Sequence, residues 1–311
     1  MNVSVLNTCL LKLSNRLQGA LGEKGLSYIA LRSTEGKLLG NATDRAMMIY
    51  SHCECKTIES GTCFVPAKLF CDVVRELPSG EIHLKSTKTS LLLSAAAQTK
   101  FAINIPLLQG LEWKEEERFS EQGSTAHLQT AKLLYMFNQV KFCILNESPR
   151  NYGTVGFLHK PNTKTIRLVG TDGFRLSYSE MQGEFPKEFL RKGVCLPRKM
   201  LNELQRVCQE GGETIAVTLN SLQTMLKVEI DGYCSFMLLS SLKYPKYQNV
   251  LPSVLSHKVK LPCQPVQKAL RRVMLAADKS HSLQISFLEE YIRFFSKTSG
   301  STEGHEEVKI D

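Results

Sequence analysis

The side chains of this sequence with the most evident chemical use are cations, because Lys and Arg bind phosphate groups. Five amphipathic segments carry eleven basic residues but only three acidic ones, a surplus of eight charges in a chain of formal net charge +9. This pattern predicts a surface for nucleic acid, although each segment taken alone also fits a solvated helix face. The eleven are Lys12, Arg16, Lys68, Arg75, Lys132, Arg198, Lys199, Arg206, Lys268, Arg271 and Arg272.

Catalytic motifs are not recognisable in the sequence. The seven histidines have no neighbour at metal-ligand spacing, and the chain has neither a phosphate-binding Gly-Lys-Ser/Thr loop nor a G-x-S-x-G elbow. The run from Gly170 to Gly173 could hold a phosphate or a cation, but a tight turn between strands is the commoner use of such residues. We therefore predict no enzymatic activity, no cofactor and no metal.

The cysteines and the hydropathy pattern indicate a cytoplasmic protein. The ten cysteines are scattered through helix-like and strand-like segments, as small buried hydrophobes of a reducing compartment are. Cys53 and Cys55 are two residues apart, but without a second pair at ligand spacing they do not predict a zinc site. No apolar run approaches the roughly 20 residues of a membrane-spanning helix. The N-terminus passes straight into an amphipathic segment, so no signal peptide is predicted.

The elements that must position the cations are five helix-like segments, which recur roughly every 60 to 68 residues. Apolar residues fall at three- and four-residue spacing in each of them, as Leu10, Leu13 and Leu17 do in the first. Three segments have a proline at or near the first helical turn, where its missing N–H is tolerated. The segments span residues 6–17, 65–77, 128–140, 196–207 and 261–273.

Short strands are predicted between these helices. Alternating or β-branched runs are bounded by turn residues such as Gly211-Gly212 and Asp231-Gly232. Each repeat is then one helix with about four strands, mostly antiparallel because the connections are short. The predicted fold class is α+β, built from duplicated helix-plus-antiparallel-sheet units. The predicted strands span residues 27–33, 91–95, 100–105, 165–169, 214–219, 225–230 and 284–288.

Several motifs resemble the bacterial DNA polymerase III beta subunit, the sliding clamp. The segment from Val169 to Ser177, VGTDGFRLS, is similar to that family's TDGHRL stretch, and residues 196–204, LPRKMLNEL, to its following helix. Residues 244–252, YPKYQNVLP, resemble its FPDYxxVLP linker. Residues 61–68 and 76–80 match the second helix of its first domain, and residues 41–44 an earlier turn.

The resemblance implies a DNA clamp, or processivity fold, of similar domains. In that family each domain is a duplicated helix-plus-sheet unit, and two chains join head to tail into a ring with helices facing the hole. The expected domains are residues 1–119 and 120–244, followed by a partial third over residues 245–311. The implied function is to encircle duplex DNA and tether the replicative polymerase. By resemblance, Lys24, Arg150 and Tyr152 are added to the helix cations as DNA contacts, with Asn151 in place of a usual tyrosine.

The resemblance also implies two protein-binding surfaces. The first is a peptide cleft between the second and third domains, for the polymerase, the clamp loader and other proteins with a clamp-binding motif. Phe174 stands there in place of a usual histidine, and Gly153 replaces a leucine. The expected cleft residues are Thr171, Gly173, Phe174, Arg175, Leu176, Pro245 and Val250. The second surface is the homodimer interface, with Phe101 and Ile103 on one side and Met274 and Leu275 on the other; packing inside each domain is the alternative for these four.

The chain departs from the family pattern in having five helix units where six are expected. It would then be either a fragment or a protein that has lost half a domain, and we expect the third domain to be less stable than its relatives. Slow, uniform hydrogen exchange over residues 254–288 would contradict that expectation. Two other functions stay open: a degenerate clamp-like adaptor that binds partners without a closed ring, and an enzyme with an unrecognised site.

Overall fold

The computed structural model describes residues 1–20, 28–44, 46–95, 100–114, 123–146, 148, 151–255, 257–278, 282–298 and 302–310. The chain divides into two compact units, Met1–Pro245 and Lys246–Asp311. Helices and antiparallel strands make up both units. No helix within the described residues is both long and apolar enough to cross a membrane.

The helices of the first unit confirm the predicted periodicity, but each begins one or two residues after the start of its predicted segment. Pro66 and Pro197 each end a strand in extended backbone, with φ of −58° and −55°, and the helix begins at the next residue. Proline therefore marks the change from strand to helix here, because its fixed φ suits both states and the helix start needs no N–H from it. The helices are α1 (Asn7–Leu17), α2 (Ala67–Arg75), α3 (Thr130–Val140) and α4 (Arg198–Gln209).

One order of elements, a strand, a helix and then three strands, occurs four times in the first unit, with one extra strand in the first repeat. This order confirms the predicted unit of one helix and about four strands. The strands are β1 (Asn2–Leu6), β2 (Tyr28–Thr34), β3 (Lys37–Thr43), β4 (Met47–Glu54), β5 (Lys56–Glu59), β6 (Gly61–Pro66), β7 (Glu81–Ser86), β8 (Ser90–Ala95), β9 (Phe101–Pro106), β10 (Ser124–Gln129), β11 (Val155–Asn162), β12 (Thr165–Thr171), β13 (Leu176–Gln182), β14 (Val194–Pro197), β15 (Thr214–Leu219), β16 (Met225–Ile230) and β17 (Tyr233–Leu238).

Three antiparallel sheets form from these strands. The five-stranded sheet has the order β5-β1-β7-β8-β9, and the four-stranded sheet β13-β12-β11-β14. The eight-stranded sheet, β10-β15-β16-β17-β4-β3-β2-β6, combines strands of the first two repeats with strands of the last two. Its central pairing sets Cys234 of β17 opposite Tyr50 of β4, which are far apart in the sequence. Main-chain hydrogen bonds thus join the two halves of the first unit.

The core of the first unit lies between helices and sheets. Leu10, Leu13 and Leu17 are buried on one face of α1, which packs against α2 and β4. α3 packs in the same way against α4 and β13. Gly40 on β3 allows the close approach of α1, because a Cβ there would lie 2.5 Å from Cδ1 of Leu17. Each buried leucine adds about 1.5–3 kcal/mol of stability relative to an exposed one.

The second unit is a smaller version of the repeat. Helix α5 (Cys263–Val273) covers an antiparallel sheet of β18 (Gln284–Phe287), β19 (Tyr291–Lys297) and β20 (Glu303–Lys309), in that order. Its buried core comprises Ala269, Val273, Ile292, Phe294 and Val308.

Several strands were missed by the sequence prediction, among them β3 and β20. β3 has Gly40, Asn41 and Ala42 all buried, so its two faces do not differ in polarity as a half-exposed strand's do. β20 is rich in acidic residues, and no strand was predicted over it. Its acidic side chains pair with neighbouring cations: Glu307 bonds Arg293 at 2.6 Å, and Glu306 and Glu303 bond Arg272 and Lys297.

Candidate nucleic-acid interface and partner-binding loop

The exposed cations of the helices are the first group of predicted site residues. They lie on α1, α2 and α3 of the first unit and on α5 of the second. None of them forms an ion pair with another described residue. Such a side chain can contact a phosphate group without first breaking an ion pair with a carboxylate. The group comprises Lys12, Lys68, Lys132, Lys268 and Arg271.

Arg75 and Arg272 are exposed as well, but each has an acidic neighbour. Arg75 lies 3.1 Å from Asp72, one turn earlier on α2. Arg272 bonds Glu306 of β20, and this contact raises the pKa of the guanidinium and lowers the pKa of the carboxyl. Both acids are on the surface, where such pairs are weak and readily exchanged for another anion.

Arg198 and Lys141 form a cationic cluster where α4 begins and α3 ends. Arg198 Nη1 donates to the carbonyl of Lys141 at 3.2 Å, and Lys141 Nζ donates to Gln205 at 2.5 Å. Burial and the charge of Arg198 lower the pKa of Lys141. Nε of Arg198 is buried and has no hydrogen-bond partner among the described residues. The sequence prediction missed Lys141, which directly follows the third helical segment, although its position beside a predicted cationic helix was the available signal.

Arg16 differs from the other predicted DNA contacts that the structure describes, because only 3% of its surface is exposed. Its Nε donates to Glu210 of the segment after α4 at 2.8 Å, and its Nη1 donates to the carbonyl of Asp231 at 2.8 Å. These partners belong to the second half of the unit. The prediction of Arg16 as a DNA contact does not fit this burial, since the guanidinium has no free face for a phosphate.

Arg206 and Glu203 continue the same network. Arg206 Nε donates to Glu203 at 2.9 Å, Nη1 pairs with Glu210, and Nη2 donates to the carbonyl of Arg16 at 3.2 Å. Tyr233 donates to Glu203 at 2.7 Å from the adjoining strand. Burial alone would lower the pKa of Arg206, but the hydrogen bond and the negative charges of both glutamates raise it. Burial, followed by the charge of Glu203, raises the pKa of Tyr233.

Lys199, Tyr152, Lys24 and Arg150 complete the predicted DNA contacts. Lys199 forms an ion pair with Asp44, which also caps the turn into β4 through the N–H groups of residues 46 and 47. Tyr152 is half-buried in the 3₁₀ turn Asn151–Thr154. Lys24 and Arg150 lie outside the described residues.

The loop between β12 and β13 brings five predicted cleft residues together. The Asp172 carboxylate accepts from the N–H groups of Phe174 and Arg175 at 3.0 Å and from Arg175 Nε at 2.9 Å. Burial acts to raise the pKa of Asp172, but these hydrogen bonds outweigh it and lower the pKa. Gly173 has φ of +90°, as a tight turn requires. The five are Thr171, Gly173, Phe174, Arg175 and Leu176.

This loop fixes its own backbone and leaves an aromatic side chain in solvent. Phe174 is 92% exposed, a large apolar group in a turn that the hydrogen bonds of Asp172 and Thr171 hold in place. The Arg175 guanidinium lies 5.4 Å from the ring centroid of Phe142, a second exposed aromatic residue that the sequence prediction missed. Phe142 follows α3 without any distinctive motif. Together these side chains offer apolar contact area with a cation beside it.

The remaining predicted cleft residues lie at the end of the first unit and in the second. Pro245 is exposed and follows Tyr244, whose ring stacks on Phe157 at 5.0 Å between centroids. Val250 of the second unit is 71% exposed and ends the 3₁₀ turn Tyr247–Val250.

The predicted interface residues occupy two kinds of position. Phe101 and Ile103 lie on β9, which is an edge strand of the five-stranded sheet, and both pack partly against the core. Met274 and Leu275 lie in the 3₁₀ turn that follows α5, and Leu275 is 85% exposed. An edge strand has unpaired backbone groups, so β9 can accept another strand.

Tandem helix-plus-sheet repeats, joined through a shared sheet and carrying cations on their helices, define a fold of the DNA-clamp class. A model of the DNA polymerase III beta subunit N-terminal domain matches residues 7–109, and one of its central domain matches residues 127–246. The two matches together span more than half of the chain. The chain therefore belongs to the DNA polymerase III beta subunit family, whose members are the bacterial sliding clamps.

Relatives in this family match over the full length of the chain. The beta sliding clamp of Vibrio cholerae is 22% identical, and that of Caulobacter vibrioides 25%, with 84% and 85% of the relative covered. The beta subunit structure from Thermotoga maritima has a TM-score of 0.87 at 23% identity, covering all of this chain and 84% of that one. A Pseudomonas aeruginosa sliding clamp bound to griselimycin also has a TM-score of 0.87, at 22% identity and the same coverage. These structures show that the fold is shared.

Proposed function

We propose that this protein is a non-catalytic sliding clamp that surrounds duplex DNA and holds the replicative polymerase on it. The observation that carries the proposal is the set of exposed cations on the helices of both units, which form no ion pair with another described residue. Duplex DNA presents one negative charge per about 1.7 Å of its axis, so such side chains can bind it without reading its sequence. Many weak contacts of this kind let a protein slide.

Membership of the sliding-clamp family supports the rest of the assignment. We propose a head-to-tail homodimer in the bacterial cytoplasm, loaded by a clamp loader, with domains over residues 1–119, 120–244 and 245–311. Partner peptides would bind beside the loop from Thr171 to Leu176, where Phe174 offers an apolar contact. A relative bound to griselimycin and another, from Caulobacter crescentus, with polyethylene glycol in a beta-motif tethering region support a ligand site on this fold.

Retention on circular DNA tests the proposal. The protein is loaded onto nicked circular duplex, half of the sample is cut to linear form, and the rate of release is measured at fixed salt. We expect slow release from the circle and fast release from the linear form, because a ring slides off a free end. Equal rates would contradict the ring and favour an adaptor that binds partners without enclosing DNA.

Light scattering under the same conditions gives the oligomeric mass. We expect a dimer, and a matched Phe101→Asp variant on edge strand β9 should be monomeric and released at equal rates from both DNAs. Lys164→Ala, an exposed change in the turn between β11 and β12, should behave as the unchanged protein does. Metal-dependent cleavage of either DNA would indicate an enzyme instead.

A further inference from the structure

A cavity of about 540 Å³ lies on the eight-stranded sheet where the two halves of the first unit join. Its volume is in the range of sites that bind ligands. It is separate from the loop from Thr171 to Leu176 and from the exposed helix cations, none of which lines it. The chain's single tryptophan, Trp113, forms part of its wall.

The floor of this cavity is built by strand register. Directly opposed residues share one face of a sheet, and this rule places Cys234 beside Tyr50 in one row. A second row, two residues further along the strands, contains His52, Leu39 and Arg32. Each of these five side chains is half-buried. Because the strands are already paired on both sides, a ligand would meet side chains here and not an open strand edge.

The two ends of the cavity differ in charge. At one end Arg32 lies over the ring of Trp113, 4.4 Å from its centroid, and donates to Thr62 at 3.3 Å. At the other end are the carboxylates of Asp231, in the turn after β16, and of Glu229 on β16, which forms an ion pair with Lys227 at 2.8 Å. Between them, burial and the charge of Lys37 lower the pKa of His52, which favours the neutral form of its ring. The middle of the cavity thus has no carboxylate, lysine or arginine among its described lining residues, and Leu39 and the ring of Tyr50 supply apolar contact area there.

We propose that this cavity is a second peptide-docking site, for an extended segment of about six residues with a basic residue at one end and an acidic one at the other. From Glu229 on β16 to Arg32 on β2 there are four strand spacings of roughly 4.8 Å, or about 19 Å. Six extended residues reach about 20 Å. The basic end meets Asp231 and Glu229, the acidic end meets Arg32, and the apolar side chains between them rest on Tyr50 and Leu39.

The site needs both halves of the first unit, because Arg32, Leu39 and Tyr50 belong to the first half and Glu229 and Asp231 to the second. A segment bound here would span the central pairing of β4 with β17. Such a partner would be held on the sheet, at residues separate from the helix cations. The protein could therefore bind it and DNA together, so the proposal does not depend on the DNA-binding function.

Selection of peptides on the intact protein tests the proposal. A phage-displayed library of random hexapeptides is selected on the unchanged chain, and enriched peptides are synthesised and titrated while the emission of Trp113 is recorded. We expect peptides with opposite charges at their ends to shift that emission. Asp231→Asn and Arg32→Gln should each weaken their binding about tenfold, the effect of one lost charged hydrogen bond. Asn suits this turn, since residue 231 has φ of +39°.

A matched change in the loop from Thr171 to Leu176 distinguishes binding at the cavity from binding at that loop. Phe174→Ser should leave the affinity of these peptides and the Trp113 response unchanged, because that loop does not line the cavity. The proposal is overturned if every enriched peptide binds Asp231→Asn and Arg32→Gln as tightly as it binds the unchanged chain. A shift in Trp113 emission that appears without peptide as the protein concentration rises would also overturn the proposal. Such a shift would show that a second copy of the chain occupies the cavity. Retention on circular DNA, measured in parallel, reports on the clamp function alone.

Discussion

Lys12 and Arg16 lie one turn apart on α1, yet the fold uses them in opposite ways. Lys12 is exposed, whereas Arg16 is buried among partners from the second half of the first unit. The difference follows from where the helix ends. The C-terminal turn of α1 meets α4, and a Cβ on Gly19 just beyond it would collide with the Glu203 carboxylate. What covers a cation on a repeated helix therefore decides whether it stays exposed or joins the two halves of the first unit.

Three pairs with the same helical or turn spacing extend this comparison. Asp72 and Arg75 are both exposed, with more than half of each side chain in solvent. Asp172 is buried while Arg175 is exposed. Glu203 is 3% exposed and Arg206 29%. The interaction energy of each pair should rise with the burial of its acid. Water screens exposed charges, whereas a buried charge that loses its partner has no other group to compensate it.

The largest expected effect is that of Arg16→Met. Removing the guanidinium leaves the carbonyl of Asp231 without this donor and leaves Glu210 paired with Arg206 alone. The loss of these two charged hydrogen bonds should destabilise the first unit by about 3–5 kcal/mol. Urea unfolding followed by circular dichroism measures the change. Lys12→Met on the same helix is the control, with an expected change within about 0.5 kcal/mol. Equal losses in the two variants would contradict the distinction between these cations.

Tyr233→Phe should have the next largest effect. The change removes the hydroxyl that donates to buried Glu203 at 2.7 Å, at a cost of about 1–3 kcal/mol. Tyr178→Phe is a matched control, since that ring is 45% exposed, and its stability should stay within about 0.5 kcal/mol. An unchanged midpoint of urea unfolding in Tyr233→Phe would show that Arg206 alone is enough to stabilise the buried carboxylate of Glu203.

Whether the sequence could predict a contact depends on how far apart its two residues are along the chain. The helices were predictable because their apolar periodicity is local, and family resemblance supplied the fold that joins them. The pairing of Arg206 with Glu203 also had a local signal, since the two residues are three positions apart. Arg16 had none, because its acid, Glu210, is 194 residues away in the sequence. Counting charges on a helix cannot separate an exposed cation from one that joins the two halves of the first unit.

The loop from Thr171 to Leu176 shows the same division. The turn at Asp172 was predictable from residue types alone, since Asp and Gly favour such turns. The exposure of Phe174 was not, because the residue types of the turn do not determine whether an apolar side chain in it is buried. The cavity beside Trp113 also left no pattern in the sequence, since its floor is assembled from four separate strands.

Lys132→Ala tests the exposed side of the comparison. Loss of one phosphate contact should lower the slope of log affinity against log salt by about 0.9 for duplex DNA, with no change in stability. Fluorescence anisotropy over a range of salt concentrations measures the slope. Arg206→Met should destabilise the chain. The slope of log affinity against log salt, measured for the protein that remains folded, should stay unchanged. If Lys132→Ala and Lys164→Ala gave the same slope as the unchanged protein, α3 would not face DNA.

Acidification should release the loop around Phe174. The pKa of Asp172 is lowered in the folded state, so its stabilising bonds are complete above the unfolded pKa of about 4 and are lost as the pH falls through the lower folded value. The amide resonances of Phe174 and Arg175 should therefore shift only below about pH 4. Asp172→Asn should remove that transition, and a shift centred near pH 6 would point to another group.

The smallest expected effect belongs to the exposed pair on α2. A double-mutant cycle of Asp72→Asn and Arg75→Gln should give a coupling energy of about 0.3–0.5 kcal/mol, as solvent and salt screen both groups. The same cycle with Glu203→Gln and Arg206→Gln should give a coupling several times larger, because Glu203 is buried. Salt should distinguish them further, since only the coupling of the exposed pair should vanish at 1 M. Similar couplings for both pairs would mean that spacing along the helix, and not burial, sets the strength of these contacts.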